Sequence, residues 1–343
     1  MLALNKHQEA IDCYNKAIAI KQDYYEAIWN KSLALLLLGK LKEGFNLYES
    51  RWQKKHFTTP QRSFVKPLWL GNFSLDGKTI LVHSEQGFGD TIQFCRYIKK
   101  LKNHNCNIIL EVEKTIIPLM KQLNAASLIV EKGQALPEFD CHIPIMSFPL
   151  AFGTTLETIP TIKSYFNADR EKENYFRSKL DINRPKIGLA WSGSSTHVND
   201  SNRSIKLELL LKLLKFFSSD FEYVCLQQEV REDDRIVLDK SNIKFYGDEL
   251  NNFDDTVALI SNVDLIISVD TSVAHLSASL GKDTFVLLPF SPDWRWMTDR
   301  NDSPWYPTVK LFRQESFGDW DCVFEKLRLE MLYYLKMLRT LQV

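Results

Sequence analysis

Three stretches of the 343-residue chain bring together residue types at spacings that suit group transfer. The first is Ile80-Leu-Val-His-Ser-Glu-Gln-Gly-Phe-Gly-Asp-Thr-Ile-Gln-Phe94, an apolar run that ends in Gln86, Gly87 and Gly89 and then meets Asp90 at a helix start. Its glycines let the backbone turn tightly and approach a ligand closely. Asp90 reads in two ways, as a helix N-cap or as a carboxylate that takes a proton from an attacking hydroxyl. The spacing is not G-x-G-x-x-G, and no Lys-Ser/Thr pair makes it a P-loop. The second stretch, Ile187 to Ile205, ends a strand in a small polar loop holding Ser192, His197, Asn199, Asp200 and Arg203, with Lys206 just beyond. Arg203 offers a fork of donors that matches a diphosphate, and Lys206 offers a point charge; both types are also ordinary surface charges. The third runs from Leu265-Ile-Ile-Ser-Val269 into Asp270-Thr271-Ser272, with His275 one turn later. A helix start with uncapped N–H groups favours phosphate, and the trio Asp270, Thr271 and Ser272 consists of capping types. His275 lies on the same helix end, where it reads either as a ligand contact or as a satisfied structural histidine.

Other features carry weaker signals. Arg295 sits in Pro292-Asp-Trp-Arg-Trp296, and Asp302-Ser-Pro-Trp-Tyr-Pro307 follows. Such stiff aromatic loops stack on a base or sugar, or simply seal a domain edge. Asp319-Trp-Asp321 has the acid-x-acid look of metal–diphosphate binding, but its place before the last helix is better explained by capping. The sequence has no cluster with metal-ligand spacing and no locally supported Ser–His–Asp arrangement, so no metal and no cofactor is expected.

The elements that position these residues alternate between strand and helix. Expected strands are 79–83, 107–112, 127–130 and 140–144, then 186–191, 222–226, 243–246, 265–269, 284–288 and 310–312. Expected helices are 90–102, 114–124, 205–217, 229–240 and 253–262, a short one stopped by Gly281, and a long amphipathic one at 319–340. Two successive βα runs predict an α/β fold of two doubly wound domains, with ligands at the carboxyl ends of the strands. The charged, proline-terminated stretch 167–184 reads as the boundary.

The first fifty residues are different in kind. Glu9-Ala10-Ile11 with Tyr14 recurs as Glu43-Gly44-Phe45 with Tyr48, a shift of 34 residues, the period of the tetratricopeptide repeat. Ala27, Trp29, Leu33 and Gly39 fall in the first helix of a repeat. The chain is expected to begin inside one repeat and complete the next, too little for a solenoid core, which needs about three repeats. The segment must then pack on the following domain or continue a longer array; a plain helical hairpin is the simpler alternative. Residues 53–77, punctuated by Pro and Gly, read as a connector.

Composition sets bounds. Hydrophobic residues are 45% and charged residues 25%, as in an ordinary soluble domain, and Lys+Arg and Asp+Glu both number 43. No global basic field draws the chain to nucleic acid or an anionic membrane. The longest apolar run, Leu33 to Leu38, falls far short of the roughly 20 residues a membrane span needs, so no transmembrane segment is expected. The N-terminus lacks a signal layout. Six scattered cysteines without a C-x-x-C pair fit reduced, mostly buried thiols, and the expected localisation is cytoplasmic.

Taken together, His83-Ser-Glu-Gln-Gly-Phe-Gly-Asp90, Phe148-Pro-Leu-Ala-Phe-Gly-Thr154, Gly188-Leu-Ala-Trp-Ser-Gly193, Asn202-Arg-Ser204, Ser268-Val-Asp-Thr-Ser-Val-Ala-His275, Leu287-Leu-Pro-Phe290 and the two aromatic loops resemble one group. These are bacterial tetratricopeptide proteins that end in a heptosyltransferase-like glycosyltransferase domain of the GT-B type. The resemblance implies partial repeat helices at 1–52, the connector 53–77, an acceptor-side Rossmann-like domain at 78–170, a donor domain at 184–318 and a last helix at 319–343. It implies two domains facing across a cleft, a nucleotide-sugar donor held mainly by the second, and inversion at the anomeric carbon without a metal. Asp90 matches the family's proposed general base, and Asp270, Thr271 and His275 match its helix start near the donor phosphates. Two departures stand out: Asp283 where relatives usually have proline, and Val198 where a basic residue is common. The acceptor stays open between protein, glycan and lipid-linked hydroxyls, and a protein partner on the repeat helices is a further expectation. A nucleotide-sugar epimerase of the same fold and a non-catalytic adaptor are the rival readings.

Overall fold

The computed structural model describes residues 4–55, 57 and 59–341. Met1, Leu2 and Ala3 of the N-terminus and His56 and Thr58 of the expected connector lie outside the described residues. The chain divides into two compact units, one of residues 1–166 with 293–300, the other of residues 167–292 with 301–343.

Unit 1 begins with three helices, α1 (His7–Ile20), α2 (Tyr25–Leu37) and α3 (Leu41–Tyr48), followed by a 3-10 turn, Glu49–Gln53. Small residues let α2 and α3 approach: a β-carbon on Gly44 would stand 2.6 Å from the Leu36 side chain. Beyond them lies a four-stranded parallel sheet of β1 (Thr79–His83), β2 (Asn107–Val112), β3 (Leu128–Glu131) and β4 (Cys141–Pro144), in the order β3-β2-β1-β4. The central strand β1 buries Ile80, Leu81 and Val82 completely, as a near-continuous apolar run in a parallel sheet should. The order reverses between β1 and β4, which makes their carboxyl ends the switch point of this sheet.

Two expected helices of unit 1 are shorter than the hydrophobic pattern suggests. The one at 90–102 is α4 (Phe88–Phe94), continued by 3-10 turns and a single α-turn. The buried Arg96 Nε donates to the Gln93 carbonyl at 2.7 Å, taking the acceptor that a continuing α-helix would use. The one at 114–124 starts as a 3-10 turn and turns α-helical over Ile117–Lys121, where Pro118 has no N–H to close the preceding turn.

Unit 2 is built on a six-stranded parallel sheet, β5 (Lys186–Ala190), β6 (Glu222–Cys225), β7 (Lys244–Phe245), β8 (Leu265–Val269), β9 (Asp283–Leu288) and β10 (Val309–Arg313). Its order is β10-β9-β8-β5-β6-β7, so the switch point lies between β5 and β8. The long helix Trp320–Leu341 presses Val323, Leu327 and Met331 into the same core as Ile187, Leu189 and Ile267. Two helices of this unit are absent from the sequence expectations: the single turn Asp200–Arg203, and Arg170–Arg177, which forms inside the stretch taken for a charged boundary. Asp169 caps it, accepting the N–H groups of Glu171 and Lys172 at 3.0 and 3.1 Å, and Phe176 is its one buried side chain. Asp319 does act as a cap, accepting the Cys322 N–H at 3.0 Å.

Among the cysteines, Cys95, Cys141 and Cys225 are buried and Cys13 is exposed. No helix among the described residues is long and apolar enough to cross a membrane.

Candidate functional site

In unit 1 the chain leaves β1 through Ser84 and Glu85 and turns at Gln86, which adopts a left-handed φ of 60°. Asp90 is the third residue of α4 rather than its N-cap, which corrects one of its two sequence readings. Its Oδ2 reaches back to accept the Gly87 N–H at 2.7 Å, the carboxylate half of a capping box. Its Oδ1 pairs with the Arg295 guanidinium. Arg295 is buried, donates through Nη1 to Asp293 Oδ1 at 2.8 Å, and lies 4.5 Å from the Trp294 ring centroid. Asp293 and Asp90 hold the guanidinium charged, outweighing the burial that opposes it. Arg295, a possible site residue in a loop read as stacking on a ligand or sealing a domain edge, is within unit 1 the partner of Asp90. Gly89 lies in the first turn of α4, and Gly87 is exposed at its start.

Beneath that turn is a polar cluster that sequence reasoning missed. Arg51, fully buried, forks onto Glu85 with Nε–Oε2 at 2.9 Å and Nη2–Oε1 at 2.8 Å. Glu85 Oε1 also accepts the Met146 N–H at 3.1 Å, so this carboxylate ties the end of β1 to the segment after β4, across the switch point. Burial pushes the Glu85 carboxyl above its ordinary range, while Arg51 pulls it down. Glu49 and Ser147 complete the cluster: Arg51 Nη1 donates to Glu49 Oε1 at 2.6 Å, and Ser147 Oγ donates to the same oxygen at 2.7 Å. Gln86 Nε2 donates to the Tyr48 hydroxyl at 3.0 Å. The sequence signal was available in principle, since Glu85 follows an apolar strand by two residues, where a buried charge needs a partner. Nothing local, however, names a partner 34 residues upstream.

In unit 2 the switch point is spanned by Arg203. Its Nη1 donates to the Asp270 carbonyl at 2.8 Å, linking the loop after β5 to the loop after β8. Its Nε lies 3.4 Å from Asp200 Oδ1, and Asp200, buried, also accepts from Ser204 Oγ and pairs with Arg231. The guanidinium passes close over Gly193, where a β-carbon would stand 2.4 Å from Nη2. Thr271, Ser272 and His275 share one short helix, Ser272–Ser279, with Thr271 at its N-cap position. The expected side-chain cap is absent: the Thr271 hydroxyl lies 3.3 Å from Ser268 Oγ instead. His275 is buried, with Nδ1 3.0 Å from the Tyr306 hydroxyl and Nε2 3.9 Å from Asp270 Oδ1. Both of its nitrogens thus have neighbours that orient the ring toward the Asp270 turn.

The remaining predicted residues lie around that loop. Ser192 is buried; its N–H and that of Trp191 donate to Gln227 Oε1 at 3.1 and 2.7 Å, and its hydroxyl accepts from Gln227 Nε2 at 3.0 Å. His197 is exposed and accepts the Asn199 N–H at 3.1 Å, while Asn199 Oδ1 accepts from Asn202. Lys206 is exposed and precedes the helix Leu207–Leu214. Gln227 and Arg231, which frame these groups, were not anticipated; Tyr306 belongs to the aromatic loop 302–307, but its contact with His275 was not. Among the described residues no group of three or more His, Cys, Asp or Glu is arranged to hold a metal ion.

No family model matches the chain. It is 25% identical over 316 residues to Protein FlbA of Caulobacter vibrioides, a match covering 85% of this chain and 52% of that protein. The chain therefore spans about half the length of the curated relative it matches. Among solved structures, the Escherichia coli ADP-heptose lipopolysaccharide heptosyltransferase II is similar over 75% of this chain and 99% of its own, at a TM-score of 0.53 and 14% identity. The glycosyl transferase family 9 structure from Veillonella parvula is similar over 77% and 98%, at 0.54 and 13% identity. At these identities the likeness is one of fold: parallel α/β units of the kind found in those transferases.

Proposed function

We propose that this protein is a glycosyltransferase that moves a sugar from a nucleotide-sugar donor to an acceptor hydroxyl. The observation that carries the reading is where the sequence-predicted groups fall on a transferase-like fold. The turn holding Asp90 follows β1, beside the switch point of one sheet, and Arg203 with the Asp270 turn spans the switch point of the other. Ligands of open α/β sheets bind at such points.

In this reading unit 2 holds the donor. Arg203, the N–H groups at the start of Ser272–Ser279 and the neighbouring hydroxyls offset the charge that builds on the departing nucleoside diphosphate. Asp90 accepts the proton of the acceptor hydroxyl as that oxygen attacks the anomeric carbon from the face opposite the leaving group, inverting it without a metal. An ionised carboxylate offers about four acceptor positions, so accepting from a neighbouring donor does not by itself stop it from taking a proton. ADP-heptose heads the donor panel because the E. coli neighbour is described by that sugar nucleotide. The acceptor is a protein, glycan or lipid-linked hydroxyl, the first helices are a tetratricopeptide-like segment that serves a protein partner, and the reaction takes place in the cytoplasm.

The test is thermal stabilisation by a panel of ADP-, UDP- and GDP-sugars, followed by transfer assays with wild type and Asp90→Asn. Donor binding with turnover that falls about 10²–10⁴-fold in Asp90→Asn supports the proposal. Full turnover in that variant removes Asp90 as the base, and epimerised donor without an acceptor points to an epimerase. The ion pair of Asp90 with Arg295 favours a second reading, a binding module whose transferase site has become structural. Donor binding without turnover in any acceptor mixture would support it.

A further inference from the structure

The helical segment and the Asp90 turn are joined residue by residue. Three consecutive positions after β1 are each held by a named contact. Glu85 is forked by Arg51, Gln86 is bonded by Tyr48 through its side chain and by Thr59 Oγ1 through its N–H at 2.9 Å, and the Gly87 N–H is held by Asp90 itself. Gln86 needs such support because left-handed backbone is uncommon for a residue with a β-carbon. Its conformation sets the direction of the Gly87 N–H, and that N–H sets the Asp90 carboxylate. Tyr48 and Arg51 close the chain of contacts from the other side. Tyr48 is buried and lies 6.1 Å, ring to ring, from Trp294, the residue next to Arg295. Arg51 fills the switch point between β1 and β4, a place that open α/β sheets leave to ligands.

We propose that Tyr48 and Arg51 are positioning residues for Asp90, acting through Gln86 and Glu85, so that the helical segment is a built-in wall of the acceptor-side site as well as an arm for a partner. The proposal rests on the reading of Asp90 as the base, but its first test does not.

That test is amide hydrogen exchange of the full chain, read at Gly87 and over 84–91. Tyr48→Phe removes one hydroxyl and keeps the ring, so the fold is retained. Gln86→Asn keeps a residue type that tolerates the left-handed backbone while being too short to reach Tyr48. Each variant is expected to speed exchange at Gly87 about tenfold and leave α1, α2 and β2 unchanged. The double variant is expected to exchange no faster than the singles, because both remove the same contact. Wild-type exchange at Gly87 in both singles, or additive effects in the double, overturns the proposal. With whichever nucleotide sugar of the panel is turned over, Tyr48→Phe should lower kcat about tenfold with KM for the donor unchanged. A purely structural role would instead lower the amount of folded enzyme and leave both constants alone. Faster Gly87 exchange alongside full activity in Asp90→Asn would uphold the positioning of the turn while removing the base reading.

Discussion

Asp90 and Arg203 are both held by the backbone as well as by charge, and the two kinds of restraint separate on substitution. In Asp90→Asn the amide oxygen still accepts the Gly87 N–H, but Arg295 loses one of its two carboxylate partners among the described residues and keeps Asp293. The expected result is a modest fall in melting temperature, unchanged donor affinity and a loss in transfer of about 10²–10⁴-fold. Arg203 is tested most cleanly without touching it. Gly193→Ala places a methyl where the guanidinium lies, 2.4 Å from Nη2, and the loop backbone on one side and Asp270 on the other leave the arginine to move. A hydrogen bond from a charged donor is worth about 1.5–3 kcal/mol, and each 1.4 kcal/mol is about tenfold in affinity. Gly193→Ala should therefore weaken nucleotide-sugar binding about tenfold or more by calorimetry. A variant that binds as wild type would show that Arg203 does not contact the donor.

At the scale of elements, the strands were the most legible part of the chain. β1, β2 and β8 run over 79–83, 107–112 and 265–269, as their short β-branched runs indicate. Helices were legible in position and less so in length, because their ends are set by groups the pattern does not weigh: the Arg96 side chain on the Gln93 carbonyl, and the missing N–H of Pro118. Arg170–Arg177 went unseen because a helix with one buried side chain has no apolar stripe, only its Asp169 cap. Site residues close to their own strand ends were visible; the contacts of Arg51, Glu85 and Tyr306 were not, since each residue is defined by a partner far away in sequence. One such pair gives the edge of the first sheet a pH dependence. His83 Nε2 and His142 Nδ1 lie 3.3 Å apart under the Phe64 ring, with Arg62 paired to Glu111 alongside. Burial, with Arg62 adding to it, lowers His142 from 6.5 to about 4, and burial with His142 lowers His83 well below 6.5. The unfolded chain takes up these protons first, so their contribution is complete above about pH 6.5 and is lost as pH falls toward 4. Urea midpoints should drop across that window in wild type and drop less in His142→Gln. The opposite slope from the raised carboxyl of Glu85 is common to both proteins and cancels in the difference. Parallel curves for the two proteins would show that the pair does not govern acid sensitivity.

At the scale of the whole molecule, the question is whether the first helices fold as an appendage or belong to unit 1. An appendage would leave the remainder of the unit with its own closed core and satisfied charges. Here the remainder keeps neither. Without residues 1–52, Glu85 stays buried without its guanidinium, and removing one member of a buried ion pair costs about 3–5 kcal/mol. Trp294 loses the edge-on contacts of Phe45 and Tyr48, whose burial is worth about 1.5–3 kcal/mol each. Against a typical total stability of about 5–15 kcal/mol, that loss is enough to unfold the unit. The segment 293–300 adds a second constraint, because it returns to unit 1 from late in the chain and carries the partner of Asp90. Two truncations follow. The product 53–343 should show no cooperative thermal transition for unit 1, read as lost near-ultraviolet dichroism from its buried tryptophans. The product 1–166 should fare no better, for want of Trp294 and Arg295. Adding Glu85→Leu to the 53–343 product removes the unpaired charge but not the exposed aromatic face, so it should recover part of the structure and not all of it. A fully folded 53–343 product, with the melting temperature of the intact chain, would instead make the helices an independent arm and leave the buried Arg51 fork without energetic weight.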